Sequence, residues 1–390
     1  MMRQRIERLQ AAMAGNGFDA LLLIQSRDIL YYTGTAQPSW LVVLPGIYRL
    51  FVRRGFDRAL SECRLDPSCV EPQRKQNEVF SFLRNLGLPR RAVIGTELDV
   101  LPAGLWNGWK AETPDWEYRD ASPLVLRQRQ IKDPDEIASI RKACRIEDEG
   151  HRRALGVLAE GVSELDVAAA VEDAHRRAGH EGIFFMRQPD FFMSRGLFAS
   201  GPNLLRISGV ASSLTGIGQG PSVPAGPSGR VIRRGDLVLI DIPVLHDGYH
   251  VDQARTYRIG AATYRIREMQ RALEELFDYA CTALRPERTW SDAFRRVSAL
   301  ADRLGADPCF QRMPDGSTLP YIGHGVGFEL NEPPMITARN SEPVLPGTVI
   351  ALEMHLLEGD VVLKMEDMLL IGEVASEFLS VTPRRLFEIP

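Results

Sequence analysis

The sequence predicts an α/β domain followed by a larger α+β domain. Apolar runs alternate with helical patterns through about residue 125, a highly charged helical stretch follows, and helices are then interleaved with antiparallel hairpins to the end. The length of 390 residues also suits two domains of ~100–200 residues or slightly more. We therefore expect one domain over 1–130 and a second over 131–390.

The first domain is predicted from short apolar runs that are bounded by glycine and proline. Ile6, Leu9 and Met13 lie at helical spacing, and Gly15 and Gly17 then end the helix. The alternation of strands and helices predicts a parallel or mixed sheet. The predicted elements are a helix over 2–14, a strand over 20–24, strands over 41–44 and 48–52 paired through the turn at 45–46, a helix over 73–86 and a strand over 92–95.

The second domain is predicted to begin with a long helix after the charged stretch. Asp133 or Asp135 can cap this helix, and Pro134 suits its first turn. The predicted helices cover 136–158, 164–178, 264–284 and 291–304, and the predicted strands cover 236–242, 249–259, 349–356 and 361–371.

Composition and charge limit the classes of function. The net charge is −4 with acidic and basic residues well mixed, so we expect no nucleic-acid surface. The five cysteines form no CxxC pair, which argues against disulfides or a zinc ribbon and favours the reducing cytoplasm. The N-terminus lacks the order of a signal peptide, and no run of ~18 uncharged apolar residues predicts a membrane span. We expect a peptide or small-molecule substrate, without nucleic acid or membrane as partner.

Two segments are candidates for the edges of a site. Residues 216–229 are rich in Gly, Pro and Ser but lack the Lys-Ser/Thr of a phosphate-binding loop, so we interpret them as a surface or substrate-rim loop. Residues 183–198 are strongly apolar. They are a candidate for the wall of a substrate pocket, with core or dimer interface as the alternative.

Two aspartates lie on opposite strands of a predicted hairpin. Asp241 ends an apolar run, the turn signal at 246–248 follows, and the returning strand carries Asp252. Two buried carboxylates side by side could not both ionise without a cation between them. Two surface aspartates near a turn are the alternative for this hairpin considered alone.

Three further polar residues lie in or beside apolar strands. His324 is flanked by glycines, whose small size lets the backbone approach a site closely. Glu353 ends one apolar strand and Glu366 lies within another, where a carboxylate is costly to bury without a partner. A purely structural histidine is the alternative for His324 considered alone.

The four acids and the histidine explain one another if they share two cations. Carboxylate oxygens with a single imidazole favour divalent ions such as Mn²⁺, Co²⁺, Fe²⁺ or Zn²⁺. Two such ions ~3.5–4 Å apart would polarise a carbonyl group and generate hydroxide from a bridging water. The sequence therefore predicts a dinuclear hydrolytic site.

Five motifs carry a resemblance to a known family. They are ID ending at Asp241, GYxxDxxRT around Asp252, GHGVG around His324, PGxxIxxE ending at Glu353 and KMED around Glu366. In this order they resemble the pita-bread metallopeptidase family, which holds methionine aminopeptidase, aminopeptidase P, prolidase and creatinase. The segment GFDALLLIQSRDILYYTGT resembles the creatinase-type amino-terminal domain, and RQRQIKDPDEIASIRKA resembles the linker of the proline-directed branch.

The resemblance implies a fold and an activity. It implies a creatinase-like α/β domain over 1–130 and an α+β pita-bread catalytic domain over 131–390. The implied activity is that of a metal-dependent Xaa-Pro peptidase of the aminopeptidase P or prolidase kind. A homodimer is expected from the resemblance alone.

The resemblance also implies a role for each ligand. Asp252 and Glu366 would bridge the two metal ions. Asp241 would bind one ion only, and His324 and Glu353 would bind the other. Glu353 would also accept the proton of the attacking water, and such general-base help is typically worth ~10²–10⁴-fold.

The chain departs from the proline-directed peptidases at two histidine positions. Their first histidine belongs to a segment that resembles SGPN at 200–203, but no histidine lies between that segment and His246. The second follows the metal-binding histidine by seven residues, where this chain has Asn331. Asn331 can donate a hydrogen bond to a substrate carbonyl but cannot transfer a proton. Asn331, Glu353 and His324 are the candidate catalytic residues.

Other basic or imidazole groups adjoin the predicted ligands. His250 and His355 lie next to the ligand strands and are candidate substitutes for the missing histidines, with a supporting or surface role as the alternative. Arg255 and Lys364 match basic positions of the family motifs, and we interpret both as charge balance for the carboxylates.

The motifs leave four functions to compare. The first is a two-metal Xaa-Pro peptidase, supported by the ligands and the linker but opposed by the missing histidines. The second is a related two-metal hydrolase or lyase on a small non-peptide substrate, since the family includes a lyase branch acting on dimethylsulfoniopropionate. A metal-free creatinase-like amidinohydrolase and a non-catalytic binding protein are disfavoured, because those relatives lack ligands that this chain keeps.

Overall fold

The computed structural model describes residues 2–191 and 193–390. The chain divides into two compact units, Met1–Arg129 and Gln130–Pro390, and each has a sheet of its own. Within the described ranges, no helix is both long and apolar enough to cross a membrane.

Helices and strands alternate along most of the first unit. Its helices are α1 (Met2–Asn16), α2 (Ser26–Thr33), α3 (Phe56–Glu62), α4 (Asn77–Asn85), α5 (Ala103–Glu112) and α6 (Ser122–Gln130), and its strands are β1 (Ala20–Leu23), β2 (Ser39–Leu44), β3 (Ile47–Val52), β4 (Val70–Pro72), β5 (Val93–Thr96) and β6 (Glu117–Asp120). The sheet order is β4-β3-β2-β1-β5-β6. The pairs β1–β2 and β2–β3 are antiparallel and the other neighbours are parallel, so the sheet is mixed, as predicted.

The hairpin predicted in the first unit is confirmed, and one helix differs from its prediction. Strands β2 and β3 pair with Leu44 opposite Ile47 across the turn. Helix α4 begins at Asn77 rather than at residue 73, because residues 70–72 form β4 and pair with β3. Helix α2 was not predicted, because it is buried on most sides and lacks the polar face that gives a helical period.

The second unit interleaves helices with antiparallel strands, as predicted. Its helices are α7 (Pro134–Val157), α8 (Glu164–Ala178), α9 (Tyr264–Ala283) and α10 (Trp290–Arg303), and its strands are β7 (Leu197–Ser200), β8 (Leu237–Asp241), β9 (Val244–His246), β10 (Tyr249–Val251), β11 (Ala254–Ile259), β12 (Tyr321–Gly325), β13 (Glu332–Thr337), β14 (Val349–Glu358), β15 (Val361–Leu370), β16 (Glu377–Phe378) and β17 (Phe387–Ile389). The main sheet has the order β13-β12-β14-β15-β11-β8-β7, with β16 beside β15 and β17 beside β11. The α+β architecture predicted after residue 130 is therefore confirmed.

Helix α7 begins at the cap that the charged stretch predicts. The Asp133 carboxylate accepts hydrogen bonds from the backbone N–H groups of Asp135 and Glu136, at 3.1 and 3.0 Å. The Glu136 carboxylate in turn accepts one from the Asp133 N–H at 2.9 Å, which completes a capping box. Of the two candidate caps, Asp133 is therefore the one used, and Pro134 is the first helical residue.

The long strand β14 separates an apolar core from the site. Ile350, Leu352 and Met354 belong to one buried cluster with residues of α9 and α10. Because successive side chains of a strand point to opposite faces, Glu353 lies on the other face. The packing of α9 and α10 thus fixes which face of β14 carries polar chemistry.

The strand predicted over 249–259 is interrupted. Strand β10 pairs with β9 in a short ribbon, whereas β11 runs beside β8 in the main sheet, with Ala254 opposite Asp241. Asp252 lies between β10 and β11, outside both ladders. This interruption places Asp252 beside the end of β8, where Asp241 lies.

Candidate metal centre

The five predicted ligands come from neighbouring strands of the main sheet. They lie on or next to β12, β14, β15, β11 and β8, which are adjacent in that order. Glu353 lies directly opposite Glu366 in the β14–β15 pair. His324 on β12 lies opposite Ala351, two residues before Glu353 on the same strand. Antiparallel pairing therefore gathers side chains that are far apart in the sequence.

All five ligand candidates are buried, and none is more than 7% exposed. The Nε2 atom of His324 lies 3.7 Å from Glu353 Oε1 and 3.8 Å from Glu366 Oε1. Donor atoms of Asp252, His324 and Glu366 all lie within 4.8 Å of one another. Two ligand atoms that each lie ~2.0–2.2 Å from one ion are at most about twice that distance apart. The three donors would therefore need to move only slightly to bind the same ion.

A lysine ammonium lies among the carboxylates. The Nζ atom of Lys364 donates to Asp241 Oδ2 at 2.7 Å and lies 2.9 Å from both Glu353 Oε2 and Glu366 Oε2. Burial opposes the charged form, but the three carboxylates outweigh it and raise the pKa of Lys364 well above its usual range. This position supports the interpretation of Lys364 as charge balance.

Burial and mutual repulsion govern protonation of the carboxyl groups. Burial, followed by neighbouring carboxylates, raises the pKa of Asp252 and of Glu366 well above the usual range. Burial acts on Glu353 as well, but the charge of Lys364 and its hydrogen bond to the carboxylate outweigh burial and lower the pKa of Glu353. Burial lowers the pKa of His324, which leaves its imidazole neutral and able to bind a metal.

Two oxygens of the cluster have no hydrogen-bond partner among the described residues. They are Asp252 Oδ1 and Glu366 Oε1, and both are buried. A buried acceptor without a partner costs ~1–3 kcal/mol, and more when it is charged. Two carboxylates and a neutral imidazole are a donor set that divalent cations accept, and one ion would satisfy both oxygens. The residues present therefore fit a metal ion.

A cavity of about 170 Å³ adjoins the cluster. Part of its apolar wall comes from Met186, Phe191 and Met193. This lining supports the pocket-wall interpretation of residues 183–198, of which Phe192 lies outside the described residues. An apolar wall with a few convergent polar groups is the usual composition of a small-molecule site.

The polar part of the cavity lining includes Asn331, which was a predicted site residue, and several residues that the sequence did not indicate. Asn331 lines the cavity, as do residues 210–213. Ser213 Oγ accepts a hydrogen bond from Lys364 Nζ at 3.0 Å. The Tyr321 hydroxyl, also at the cavity, donates to the Ser212 carbonyl oxygen at 2.5 Å. Ser212 and Ser213 lie in an irregular loop whose sequence has no periodicity, so no pattern predicted them. For Tyr321, the available signal was its position three residues before His324.

The two histidines considered as substitutes for the missing family histidines form hydrogen bonds with backbone groups. His250 Nδ1 lies 2.9 Å from the Gly327 carbonyl oxygen, and its Nε2 accepts from the Phe185 N–H at 2.9 Å. His355 Nε2 lies 2.9 Å from the Arg312 carbonyl oxygen, and burial lowers the pKa of His355 to about 4. These contacts favour the supporting role for both histidines.

Arg255 is buried and donates hydrogen bonds to the backbone around the ligand candidate Glu366. Its guanidinium donates to Asp367 Oδ1 at 2.7 Å and to the Glu366 carbonyl oxygen at 2.8 Å. It also donates to the carbonyl oxygens of Thr382 and Pro383, at 2.8 and 3.0 Å. The charge of Arg255 is therefore balanced by Asp367, and its bonds fix the strand that carries Glu366.

The SGPN segment surrounds a buried glutamate. Ser200 Oγ and Asn203 Nδ2 donate to the Glu164 carboxylate at 2.6 and 2.9 Å. Ser228 Oγ donates to the same carboxylate at 2.6 Å. Residues 225–228 are buried, so the expectation of a surface or rim loop over 216–229 is wrong for this part. The cavity rim is formed instead by residues 210–213, which precede that stretch.

Two segments of the chain match known families. Residues 138–373 match Metallopeptidase family M24, and residues 5–131 match the Creatinase/Prolidase N-terminal domain. The first match alone covers more than half of the chain. The chain belongs to metallopeptidase family M24. The predicted enzyme class is thereby confirmed, and family membership implies the use of divalent metal ions.

Peptidases resemble this M24 chain along almost its whole length. It is 26% identical to the Xaa-Pro dipeptidase of Pyrococcus furiosus over 392 residues, which cover 99% of this chain and 100% of the relative. It is 25% identical to the uncharacterized peptidase YqhT of Bacillus subtilis, over 98% of this chain and 99% of the relative. The family resemblance predicted from the five motifs is therefore confirmed.

Solved structures share the fold of this M24 chain. The Xaa-Pro dipeptidase from Bacillus anthracis superposes with a TM-score of 0.84 at 22% identity, over 100% of both chains. The prolidase from Pyrococcus horikoshii OT3 superposes with a TM-score of 0.81 at 24% identity, over 98% of this chain and 99% of the other. The predicted combination of a creatinase-like α/β domain and a pita-bread domain is therefore confirmed.

Proposed function

We propose that this M24 metallopeptidase cleaves Xaa-Pro bonds. The observation that carries the proposal is the buried cluster of four carboxylates and one imidazole, which lies beside a cavity with an apolar wall. Relatives named Xaa-Pro dipeptidase match 99% of the chain, which supports this choice of bond. An apolar wall also suits a proline ring and an apolar residue before it.

The metal centre in this proposal would hold two divalent metal ions, one at each of two cation positions, and catalysis belongs to residues 131–390. Asp252 and Glu366 are shared between the positions. Asp241 serves one position, and His324 and Glu353 serve the other. A divalent ion at such a site lowers the pKa of water and polarises a carbonyl group when bound.

Glu353 is the proton acceptor in this proposal. Its Oε2 atom is held by Lys364 at 2.9 Å, while its Oε1 atom faces His324 at 3.7 Å. Oε1 is therefore the atom that is available to take a proton from the attacking water. The lowered pKa of Glu353 keeps this carboxylate ionised near neutral pH, which is the state that a base requires.

A second candidate is a two-metal hydrolase or lyase that acts on a small non-peptide substrate. Asn331 at the cavity rim favours it, because an amide cannot transfer protons as the histidine of proline-directed relatives would. A cavity of about 170 Å³ also suits a small substrate. Peptide and non-peptide substrates would use the same metal centre, so substrate assays separate the two candidates.

The decisive experiment is a substrate assay with the metal-loaded protein. The purified chain is reconstituted with Mn²⁺ or Co²⁺, its metal content is measured, and Xaa-Pro dipeptides and longer Xaa-Pro peptides are offered. Cleavage at the Xaa-Pro bond is expected. Failure to cleave any of these peptides at full metal occupancy would eliminate the Xaa-Pro proposal and leave the non-peptide substrate.

Variants of the shared ligands connect activity to the proposed centre. Asp252→Ala and Glu366→Ala should each abolish metal binding and activity, because each residue serves both cation positions. Exposed Asp57→Ala in the first unit is the matched control and should change neither property. A variant of either shared ligand that kept full metal content would contradict the assignment.

Ion identity, assembly and location complete the proposal. Mn²⁺ is the preferred ion, since a carboxylate-rich set with one imidazole suits hard ions, and competition with Co²⁺, Fe²⁺ and Zn²⁺ would test it. The assembly is a homodimer, for which sedimentation would give twice the chain mass of 43.6 kDa. The location is the cytoplasm, which suits five unpaired cysteines and is tested by cell fractionation.

A further inference from the structure

We propose that a basic cavity in the first unit binds a small phosphorylated molecule that also carries a hydroxyl group, of the sugar phosphate class. The cavity has a volume of about 410 Å³, which falls in the range of ~300–1,000 Å³ that is usual for ligand pockets. Arg53, Arg54, Arg74 and Lys75 line it, and no carboxylate does so among the described residues. The inference is independent of the proposed function, because it uses none of the metal ligands.

The basic cavity lies where two parallel strands end. Strands β3 and β4 are parallel neighbours, with Val52 opposite Pro72 at their last residues. Arg53 and Gln73 follow these residues directly, and the Gln73 N–H donates to the Val52 carbonyl oxygen at 2.8 Å. Because the carboxyl ends of parallel strands meet at one edge of a sheet, the side chains that follow both strands gather there.

The protein does not neutralise the four cations of the basic cavity. Their side chains are exposed and form no hydrogen bond or ion pair with any described residue. By contrast, Arg49 Nε on β3 lies 3.2 Å from Glu71 Oε1 on β4. The net charge of the chain is −4, so the cluster is a local concentration of positive charge rather than a general property of the surface. An anion in this cavity would therefore meet four positive charges that have no carboxylate partner.

The composition of the cluster favours a phosphoryl group. A guanidinium can donate two parallel N–H bonds to phosphate oxygens, and a phosphate dianion can accept from several cations at once. A single carboxylate has two oxygens and one negative charge, so it would leave part of the cluster without a partner. The N-terminus of α4 adds to the attraction, because its N-cap residue Gln76 lines the cavity and no side chain caps the helix.

A buried amide oxygen indicates that the ligand also carries a hydrogen-bond donor. Gln73 lines the cavity and is 9% exposed. Its Nε2 atom donates to the Lys75 carbonyl oxygen at 3.4 Å, which orients the amide. Its Oε1 atom is buried and has no hydrogen-bond partner among the described residues, which is costly. Ionised phosphate oxygens only accept hydrogen bonds, so a hydroxyl group beside the phosphate is the group that would satisfy Oε1.

The apolar part of the lining suits a carbon skeleton. Trp40 lines the cavity, is 3% exposed and is held by Trp109 and Phe80, at ring-centroid distances of 5.1 and 6.0 Å. Leu105 also contributes to the lining. Apolar walls with a few polar groups are typical of sites for organic molecules. This wall therefore favours a phosphorylated organic molecule over free phosphate, which has no apolar surface.

Binding to the full chain tests the inference without turnover. The purified protein is dialysed into buffer freed of divalent ions on a chelating resin, and it is titrated calorimetrically with ribose 5-phosphate, inorganic phosphate and ribose. Ribose 5-phosphate should bind, inorganic phosphate should bind more weakly because it lacks the carbon skeleton, and ribose should show no binding. Asp252→Ala should bind ribose 5-phosphate as the wild type does, because the metal centre takes no part.

Variants of the lining show whether the ligand occupies the basic cavity. Arg54→Ala combined with Lys75→Ala should weaken ribose 5-phosphate binding roughly tenfold or more, since each change removes a hydrogen bond between charged groups. Exposed Arg91→Ala in the same unit is the matched control and should leave the dissociation constant unchanged. Gln73→Met should weaken ribose 5-phosphate binding roughly 2–12-fold, the effect of one neutral hydrogen bond, and should leave inorganic phosphate unaffected.

The double variant keeps the test decisive if Gln73→Met does not fold, because Arg54 and Lys75 are both exposed. No binding of ribose 5-phosphate to the wild type, or equal affinity in the folded double variant, would overturn the inference. Ribose 5-phosphate that bound no more tightly than inorganic phosphate would overturn it as well. Binding without Xaa-Pro cleavage would support the inference and remove the substrate proposal, and cleavage without binding would do the reverse.

Discussion

Single residues of the site differ in how far the sequence could predict them. Glu353 and Glu366 were indicated because a carboxylate within an apolar strand needs a partner. Lys364 lies in an equally apolar strand, but its long side chain could carry the ammonium to several different partners. Only the register of the strands shows where the ammonium lies. Its ammonium touches three of the carboxylates. The sequence therefore predicted the acids of the cluster and the role of the lysine as charge balance, but not which carboxylates the lysine contacts.

Asn331 permits a prediction about substrate binding. Its amide can hold a substrate carbonyl but cannot transfer a proton, so Asn331→Ala should raise KM and leave kcat nearly unchanged. The loss of one hydrogen bond, worth ~0.5–1.5 kcal/mol, corresponds to a KM increase of roughly 2–12-fold. Steady-state kinetics on the peptide that the wild type cleaves would measure both constants.

The control for Asn331 is another asparagine far from the ligands in sequence. Asn85 is exposed near the end of α4 in the first unit, and Asn85→Ala should alter neither constant. A fall in kcat of a hundredfold or more in Asn331→Ala, with KM unchanged, would instead give Asn331 a part in the chemical step.

Helices and strands with one buried face were the elements that the sequence predicted well. The helix expected over 164–178 has those bounds in α8, and the one expected over 264–284 differs from α9 by one residue. The strand expected over 249–259 was wrong in one respect, because β10 and β11 belong to different ladders. The interruption falls at Asp252 and Gln253, and because apolar residues lie on both sides of this polar pair, the sequence pattern did not reveal it.

The packing of α7 against α8 supports a prediction at the scale of elements. A methyl group added at Gly150 of α7 would lie 1.9 Å from His175 Nε2 on α8. Because this contact would force the helices or the imidazole to move, Gly150→Ala should lower the free energy of unfolding by ~1–3 kcal/mol. Urea denaturation of the second unit's transition would measure the change.

A matched glycine lies on the same helix. A methyl group at Gly156 would meet no atom within 4 Å, so Gly156→Ala should stabilise the protein slightly, by up to ~1 kcal/mol. The double variant Gly150→Ala with His175→Ala should recover part of the stability lost through the clash. If Gly150→Ala and Gly156→Ala changed the free energy of unfolding equally, the contact with His175 would not be the cause of the expected loss of stability at position 150.

At the scale of the whole molecule, the order of elements was more informative than any single motif. Strands alternating with helices before residue 130, and hairpins between helices after it, predicted both sheets, although several short helices were not predicted. The order of the five ligand motifs then indicated the family, and the match over residues 138–373 confirms it. The cavity wall and rim were harder to predict, because they are built from loops whose residues follow no period.

The two units permit a prediction about metal and thermal unfolding. All five proposed ligands lie in the unit Gln130–Pro390, so Mn²⁺ should stabilise that unit alone. At ~100 times its dissociation constant, a bound ion adds ~2.7 kcal/mol to the free energy of unfolding, and a chelator should remove this gain. Scanning calorimetry would record it as an upward shift of one transition.

Tryptophan fluorescence would identify the unfolding transition of the first unit, which Mn²⁺ should not shift. Trp40, Trp106, Trp109 and Trp116 belong to the first unit and Trp290 to the second, so the signal reports mainly on the first. We expect the fluorescence midpoint to be unchanged by Mn²⁺ while the calorimetric transition of the second unit rises. Asp252→Ala should remove the rise, because the variant cannot hold the ion. A single transition that moves equally by both methods would mean that the units unfold together, and the stabilising effect of the ion would then extend to the whole chain.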